Sequence, residues 1–462
     1  MARVTKRKKK LTIEEKLSEA LVPESEQPYK VPENWCWVRI GAVSIIYTGN
    51  SINERIKKEK YYEQPAGLLY IATKDIAFDG TVDYETKVRI NDFKKFKVAP
   101  ANTALLCIEG GSAGRKIGFV NQDVCFVNKL CAFVANTVNS KFIYYYLLSQ
   151  GFLDQFNARK HGLIGGVSVN ELSTISFTLP PLPEQQRIVT RIESLFSKLN
   201  EAKEKAQAVV DGFEDRKAAI LHKAFTGELT AEWRSENSVA FSDWKINVLE
   251  ACFDIVSGIQ KKPSRAPKNN PVPYITVANV YRNRIDLSDL RYFEVLEGEL
   301  EKLQLKYADI LIVEGNGSGN EIGRCAMWRD ELPVCIHQNH IIRIRRKDDS
   351  VLPEYVLFYL NSSSGKHIMK ERAKTTAGLY NLSTGKIKTI PVPFAPIKEQ
   401  QEIVCILNKM LEMEQQAKEV TEQVISQIDI MKKSILSRAL RGELGTNDPA
   451  DESAVELLKT IL

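Results

Sequence analysis

Long apolar runs, cysteine pairs at metal-binding spacing and the glycine fingerprints of nucleotide sites are all missing from this 462-residue chain. No stretch approaches the roughly 18 to 20 uninterrupted apolar residues of a membrane span. The basic segment Met1–Lys10 has no apolar run behind it, so neither a membrane anchor nor a secretory leader is expected. The eight cysteines, at positions 36, 107, 125, 131, 252, 325, 335 and 405, include no Cys-x-x-Cys pair, and no histidine completes a zinc pattern. They read as reduced, mostly buried small hydrophobes of a cytoplasmic protein. His337 and His340 stand three apart in a strand-like run without a third ligand, weak grounds for a metal, and none is expected. Catalytic signatures are absent too. There is no G-x-S-x-G, no H-E-x-x-H, and no Asn-Pro-Pro-aromatic or Asp-Pro-Pro-aromatic tetrapeptide of the kind that amino-methylating enzymes use to grip an extruded base; Asn270-Pro271-Val272-Pro273 is not one. The chain is therefore expected not to be an enzyme and to carry no cofactor.

What is present is ordinary globular material, 44% apolar and 26% charged, enough for about three domains at roughly 150 residues each. The net charge of +6 is concentrated in Arg3, Lys6, Arg7, Lys8, Lys9 and Lys10. Removing these six from the 64 basic residues leaves 58, equal to the 58 acidic ones. If the neutral body holds a polyanion, a local patch or a partner subunit must supply the neutralising charge.

The chain repeats itself. Glu184–Leu229 (EQQRIVTRIESLF…AFTGEL) recurs at Glu399–Leu444 (EQQEIVCILNKML…ALRGEL) with a constant shift of 215, no gap, and 16 of 46 positions identical. Each copy reads as a helix of about 40 residues, with Pro183 or Pro396 at or near its start, an acidic Glu184 or Glu399 suited to the helix dipole, and Gly227 or Gly442 able to end it left-handed. Ile188, Ile192, Leu195, Leu199, Ala202, Ala206, Val209 and Phe213 form an a/d seam. Ile403, Leu407, Met410, Ala417, Val424, Ile428, Met431 and Ile435 repeat it, interrupted by Glu414 and Thr421 at seam positions. Each stripe alone would stay wet, so the two helices are expected to pair, antiparallel; the alternative is two helices each packed on its own globular domain.

The segments before the helices match more faintly. WCWVRIGAVSIIYTG from Trp35 and WKINVLEACFDIVSG from Trp244 end in Gly49 and Gly258, and Tyr70-Ile71 and Tyr274-Ile275 follow. EGGSAGRKIG (Glu109–Gly118) matches EGNGSGNEIG (Glu314–Gly323), and Phe142–Ser149 matches Tyr355–Ser362. The glycine segments follow strand-like runs but lead into second apolar runs, not helices, so they are no phosphate loops. They read either as plain hairpins or as loops able to enter a groove. The first carries Ser112, Arg115 and Lys116 and the second Asn316, Ser318 and Asn320, side chains suited to phosphates and base edges.

Two variable domains alternating with two homologous helices, each helix introduced by LPPLPEQQRIV or FAPIKEQQEIV and closed by Gly-Glu-Leu, resemble the specificity subunit of type I restriction-modification systems. The resemblance runs from about residue 31 to 443 and includes PENWCWVRIGAV. The second helix departs from it only in carrying Phe394-Ala395-Pro396-Ile397-Lys398 where the first has Leu179-Pro180-Pro181-Leu182-Pro183.

The resemblance implies an α+β chain, a tandem duplication of two mixed α/β target-recognition domains, each followed by a long helix, with the two helices paired as an antiparallel coiled coil. The expected layout is a basic arm and short helix (1–30), recognition domain 1 (31–180), spacer helix 1 (181–229), a linker (230–240), recognition domain 2 (241–395), spacer helix 2 (396–444) and a tail (445–462). Each domain would read one half of a bipartite, asymmetric site in double-stranded DNA. The helices, through Ile188, Ile192, Leu195, Leu199, Ile403, Leu407, Met410 and Ile428, would pair and dock two modification subunits, which carry S-adenosylmethionine and methylate adenine; a translocating restriction subunit joins them. DNA contacts are expected on the glycine loops, at Asn128 and Lys129 with Gln338 and Asn339 in the corresponding run, and on the loops bearing Lys160, His161, Lys374 and Thr375. The competing readings are a coiled-coil adaptor that never meets DNA and a methyltransferase with its own activity.

Two helices of about 40 residues, at about 1.5 Å rise, extend roughly 60 Å each and would act as a ruler between half-sites. A four-residue insertion near Ala206, matched by one near Thr421, adds about one helical turn, roughly 6 Å, or one to two base pairs. Methylation mapping should then find the same two half-sites with an altered gap. An unchanged gap would exclude the ruler.

Overall fold

The computed structural model describes residues 12–162, 165–260, 265–316, 321–373 and 380–462. It divides into two compact units: the chain up to Ala206 with Gln423–Leu462, and Gln207–Glu422. Each unit contains one globular domain, part of one spacer helix and the complementary part of the other.

In the first unit, strands Ser44–Thr48, Leu130–Ala135, Thr103–Cys107 and Ile117–Val120 form an antiparallel sheet in that order. The central strand Thr103–Cys107 is buried on both faces. Ala104 and Leu106 join Phe133, Phe142 and Phe177 in one core, and Leu105 and Cys107 join Ile71, Val120 and Phe126 in another. Successive side chains of one strand thus feed two cores, which is why TALLC is apolar throughout instead of alternating. In a second sheet Leu68–Ile71 and Val124–Phe126 lie parallel, flanked by Arg89–Ile90 and Val98–Ala99.

The second unit repeats the plan. Phe253–Ser257, Ile341–Arg346, Ile310–Val313 and Cys325–Met327 follow the same order, and Pro271–Ile275 runs parallel to Ile336–His337. Ile310 and Ile312 pack with Tyr355 and Phe394, while Leu311 and Val313 pack with Ile275 and Trp328. The faint matches of the sequence are therefore a duplication of the four-stranded sheet and of the parallel strand pair beside it, the second sheet having four strands in the first copy and three in the second.

The spacer helices pair antiparallel. In the first unit Lys203 bonds Asp429 at 2.8 Å, and Lys432 donates to Asn200 and lies 5.6 Å from the Phe196 ring. In the second, Arg216 bonds Glu414 at 2.8 Å and the Lys418 ammonium sits 4.8 Å from the Phe213 ring. As numbers rise along the first helix, partners fall along the second. Glu414, which interrupts the heptad, is thus an ion-pair partner of the opposite helix.

Three features differ from the sequence reading. The first helix is two helices, Leu182–Asp211 and Phe213–Phe225, meeting at Gly212. There the Arg216 guanidinium donates to the Val209 carbonyl at 3.0 Å and a Cβ on residue 212 would stand 2.8 Å from it. The second helix, Ile397–Leu440, is unbroken. The seam is also not uniformly covered. Ile188, Ile192, Ile403, Leu407 and Ile428 are buried and Leu195, Leu199 and Met410 half-buried, but Ala202, Val209, Ala417, Val424 and Met431 are exposed. The buried seam residues do double service: Ile188 and Ile192 pack with Phe142 and with Leu436 and Ala439 of the other helix, and Ile403 and Leu407 with Tyr355, Leu221 and Ala224. Finally, the presumed linker and tail hold helices Ala231–Asn237 and Ala454–Ile461.

The segments that carry those two helices explain the Glu-Gln pair that opens the motif. Glu399 is fully buried and accepts from Thr230 at 2.6 Å, Arg234 at 2.6 Å and the Trp244 indole at 2.8 Å. Glu184, equally buried, accepts from Thr446 at 2.7 Å and from Arg187, which also pairs with Asp451. Burial pushes the Glu184 carboxyl above its usual range, against the pull of Thr446 and Arg187. The next residue ties the helix to its domain. Gln185 accepts from the Asn139 amide at 2.8 Å and donates to the Pro180 carbonyl at 2.9 Å; Gln400 does the same with Leu352 at 2.9 Å and Ala395 at 2.8 Å. Asn139 and Leu352 are the N-caps of helices Ser140–Leu147 and Pro353–Asn361. A carboxylate suited to a helix dipole is here a lock to the segment that follows the opposite helix end.

Burial ranks the seam. Ile428→Asp places a charge at a 2% exposed position and should cost several kcal/mol or abolish soluble expression. Leu195→Asp should cost less, and Val424→Asp, at 45% exposure, should stay within about 0.5 kcal/mol. Urea unfolding of the three variants checks the order; equal losses would show that the middle of the seam is covered.

Candidate nucleic-acid interface

Strand register gathers sequence-distant loops at one end of each four-stranded sheet. In the first domain, strand Ser44–Thr48 ends beside the start of Leu130–Ala135 and the end of Thr103–Cys107. Gly49 passes there so close to Phe126 that a Cβ would lie 1.9 Å from its carbonyl oxygen. Gly258 does the same 2.1 Å from the His337 oxygen, and this is the physical reason for the matched glycines. The Ile108 amide donates to the Lys129 carbonyl at 3.0 Å, Val167 to Ile108 at 3.2 Å, and Gly110 to Gly165 at 3.3 Å. The glycine loop with Ser112, Arg115 and Lys116, the exposed turn Asn128–Lys129 and the loop of Lys160 and His161 thus form one surface. Several of its side chains are engaged within the protein, Arg115 and Lys116 by donating to backbone carbonyls. His161 Nε2 lies 2.9 Å from Glu171, whose carboxyl is held below its usual range by hydrogen bonds from Ser168. The Lys160 ammonium sits 5.4 Å from the Phe156 ring.

In the second domain the Gln338 amide donates to Ile275 at 2.9 Å and that of Asn339 to Ile259 at 2.9 Å. The Glu314 amide donates to His340 at 2.9 Å and that of Leu382 to Glu314 at 2.7 Å, while Gly315–Asn316 pairs with Tyr380–Asn381. Gln338 and Asn339 are half-buried at the sheet end, as expected for the counterpart of the first surface. Of Asn316 only the backbone is described, and Ser318, Asn320, Lys374 and Thr375 lie outside the described residues.

Register also realigns the two copies. Leu130 pairs with Cys107 as Ile341 does with Val313, so Asn128 corresponds to Asn339 and Lys129 to His340. Ile108, not Glu109, matches Glu314. The hairpin loop is two residues longer in the second copy, since Leu106 pairs with Ile117 and Ile312 with Cys325. The counterpart of Lys116 is therefore Arg324, which the letter match E-G-x-x-x-G-x-x-I-G aligned with nothing. Chemistry agrees: the Lys116 ammonium donates to the Thr73 carbonyl at 3.1 Å and the Arg324 guanidinium to that of Val277 at 3.0 Å.

Comparison with known proteins decides the family. The type I restriction modification DNA specificity domain matches twice, over residues 32–209 and 242–424. The chain belongs to that family. It is 25% identical over 431 residues to the type I restriction enzyme EcoKI specificity subunit of Escherichia coli K12, covering 90% of each chain. It is 22% identical to the StySPI specificity subunit of Salmonella potsdam, again over 90% of each. The HsdS subunit from Thermoanaerobacter tengcongensis shares its fold, with a TM-score of 0.60 at 19% identity over 91% of this chain and all of that one. A chain from a type I restriction-modification assembly aligns at a TM-score of 0.68, 18% identical, over 90% of this chain and all of that one. The two domains of this specificity subunit are thus its recognition domains, and the fold carries no membrane-spanning helix among the described residues.

The histidine at the sheet end of domain 2 is structural. His337 is fully buried, its Nδ1 is 2.9 Å from the Ile341 carbonyl, and burial lowers its pKa to about 4. A histidine neutral in the fold and titrating near 6.5 when unfolded leaves stability intact above 6.5 and erodes it as pH falls toward 4. Phe126 occupies the equivalent place in domain 1. Replacing His337 by Phe should therefore remove about 2 kcal/mol of the stability difference between pH 7 and pH 5. Urea unfolding of both proteins at the two pH values measures it, and identical pH dependence would refute it.

Proposed function

We propose that each recognition domain of this chain reads one half of a bipartite, asymmetric DNA target through the loops at its sheet end. The observation that supports this most is convergence: in each copy three separate segments, none adjacent in sequence, are hydrogen-bonded into one surface where the strands end. Ser112, Arg115, Lys116, Asn128 and Lys129 are the contact candidates of the first domain, with Lys160 and His161 at its margin. Gln338 and Asn339 serve the second, together with Asn316, Ser318, Asn320, Lys374 and Thr375. Their donors suit phosphates and base edges in the major groove.

Chemistry is delegated. Specificity subunits of type I systems assemble with modification and restriction subunits and DNA, and for this chain the reading is of two modification subunits seated on the paired helices. Ile188, Ile192, Ile403, Leu407 and Ile428, expected to pair and dock partners, are buried within the protein and are not open to a partner. Val209, Met413, Val420 and Val424 instead leave apolar surface exposed along those helices, which supports docking there. S-adenosylmethionine belongs to the partner, and the chain itself has no catalytic role. The neutral body fits a reader that shares phosphate contact with partners.

The test is division of labour. Arg115→Ala with Lys116→Ala should relax or weaken reading of one half-site, and Asn316→Ala with Asn320→Ala that of the other, at about 1 to 3 kcal/mol per lost base contact. Methylation mapping of DNA made with each assembled complex reads the outcome. Equal loss of discrimination at both half-sites would overturn the assignment of one domain to each.

A further inference from the structure

Both domains carry an exposed aromatic ring braced by two cations, on the corresponding turn, one residue apart in register, and on unlike sequence. In the first domain the ring is Phe78, 64% exposed, with the Arg115 guanidinium 5.4 Å and the Lys116 ammonium 5.1 Å from its centre. In the second it is Tyr281, 40% exposed, with Arg284 at 4.8 Å and Arg324 at 5.5 Å. The rings sit on small turns closed by the bridges Ile76–Val82 and Val280–Ile285, Phe78 within its turn and Tyr281 on the strand leading into its turn, paired with Arg284. Gly80 and Asn283, both at positive φ, bend the two turns at the same point. An Asp or Asn fixes the base of each turn: Asp75 accepts from the Ala72 amide at 2.8 Å and Asn279 from that of Thr276 at 2.9 Å. One cation of each pair is anchored from the glycine hairpin, through the Lys116 bond to Thr73 and the Arg324 bond to Val277.

A single exposed phenylalanine means nothing by itself. Here the same constellation occurs twice, while the residues around it have diverged: Asp79 follows the first ring and Arg282 the second. Lys116 and Arg324 hold equivalent positions, but the other two cations reach the ring from different places in the two sequences, Arg115 from the hairpin and Arg284 from the turn itself. We infer that Phe78 and Tyr281 are DNA-contacting groups, each packing against the sugar and base edges of its half-site while the flanking cations meet the adjacent phosphates. In the second domain Arg284 also lies 3.7 Å from Asp286 and the mostly covered Arg324 3.6 Å from Glu321, so a phosphate there competes with a carboxylate. A cation held over a ring can still meet an anionic partner on its far side. An apolar face ringed by positive charge has the polarity of a nucleic-acid strand, whose apolar sugars and bases are edged by phosphates, and is opposite to an acidic protein surface. Aromatic and Arg groups are the pair that nucleic-acid surfaces use for stacking and phosphate contact.

This inference rests on the proposed reading of half-sites, and its test keeps the two apart. The complete complex with modification subunits is titrated with duplexes carrying both half-sites or either one scrambled, at several salt concentrations. Phe78→Ala should weaken binding about tenfold through one half-site only, and Tyr281→Ala through the other, with the salt slope unchanged because no charge is removed. Phe78→Tyr should restore affinity. Arg115→Ala should instead lower the slope by about 0.9. Unchanged DNA affinity in both ring variants overturns the inference while leaving half-site reading intact. Loss of assembly with the modification subunit, at unchanged affinity in complexes that do form, overturns it in favour of a protein contact. A wild-type complex indifferent to scrambling either half-site removes both readings.

Discussion

A buried carboxylate at the first turn of each spacer helix holds this architecture together. Glu184 and Glu399 are withdrawn from water, and each is satisfied by residues that follow the end of the opposite helix: Thr446 and, through Arg187, Asp451 in one unit, Thr230 and Arg234 in the other. Such a group is stable only while its partners stay in place, because an unpaired buried charge costs several kcal/mol. The helix start, the helix end that returns beside it and the chain leaving that end are therefore coupled. The neighbouring glutamine extends the coupling into the domain by completing the N-cap of the helix that covers the sheet.

From that junction the recognition surface follows. The helix capped by Asn139 or Leu352 packs on the sheet, and the sheet fixes where its strands end. At those ends Gly49 and Gly258 let two backbones approach closer than any side chain would allow, which locks the turns bearing Asn128 and Asn339. The loops are free to differ because their backbones, not their side chains, form this framework. Two domains can thus share a scaffold and read different bases, as a bipartite asymmetric target requires.

The paired helices show a graded design. Most of their buried positions, such as Ile188, Ile192, Ile403 and Leu407, coincide with the domain cores, while Ile428 and Phe213 are buried outside those clusters and several apolar residues between stay exposed. Glu414 breaks the heptad yet adds an ion pair with Arg216, a half-buried contact that favours one register over its neighbours.

The duplication, the helices, the glycine pair and the family were all legible in the letters, because a constant shift of 215 and a repeated Pro-to-Glu-Gln-Gln motif need no coordinates. Strand-like runs such as Thr103–Cys107 and Ile310–Val313 were legible as well, since burial on both faces leaves an apolar signature. Other features were decided only in three dimensions. The break at Gly212 depends on where Arg216 reaches, and the exposure of Val209 and Val424 depends on which neighbours the seam meets. The equivalence of Lys116 with Arg324 was hidden because the second hairpin is two residues longer, and letters align by identity whereas strands align by hydrogen bonds. Phe78 and Tyr281 gave no signal at all, for an aromatic residue in a sequence reads as core until its surroundings are known. Periodicity and repetition are local properties of a chain and survive in its sequence; which distant side chains share a surface is set by the closing of sheets and helices upon each other.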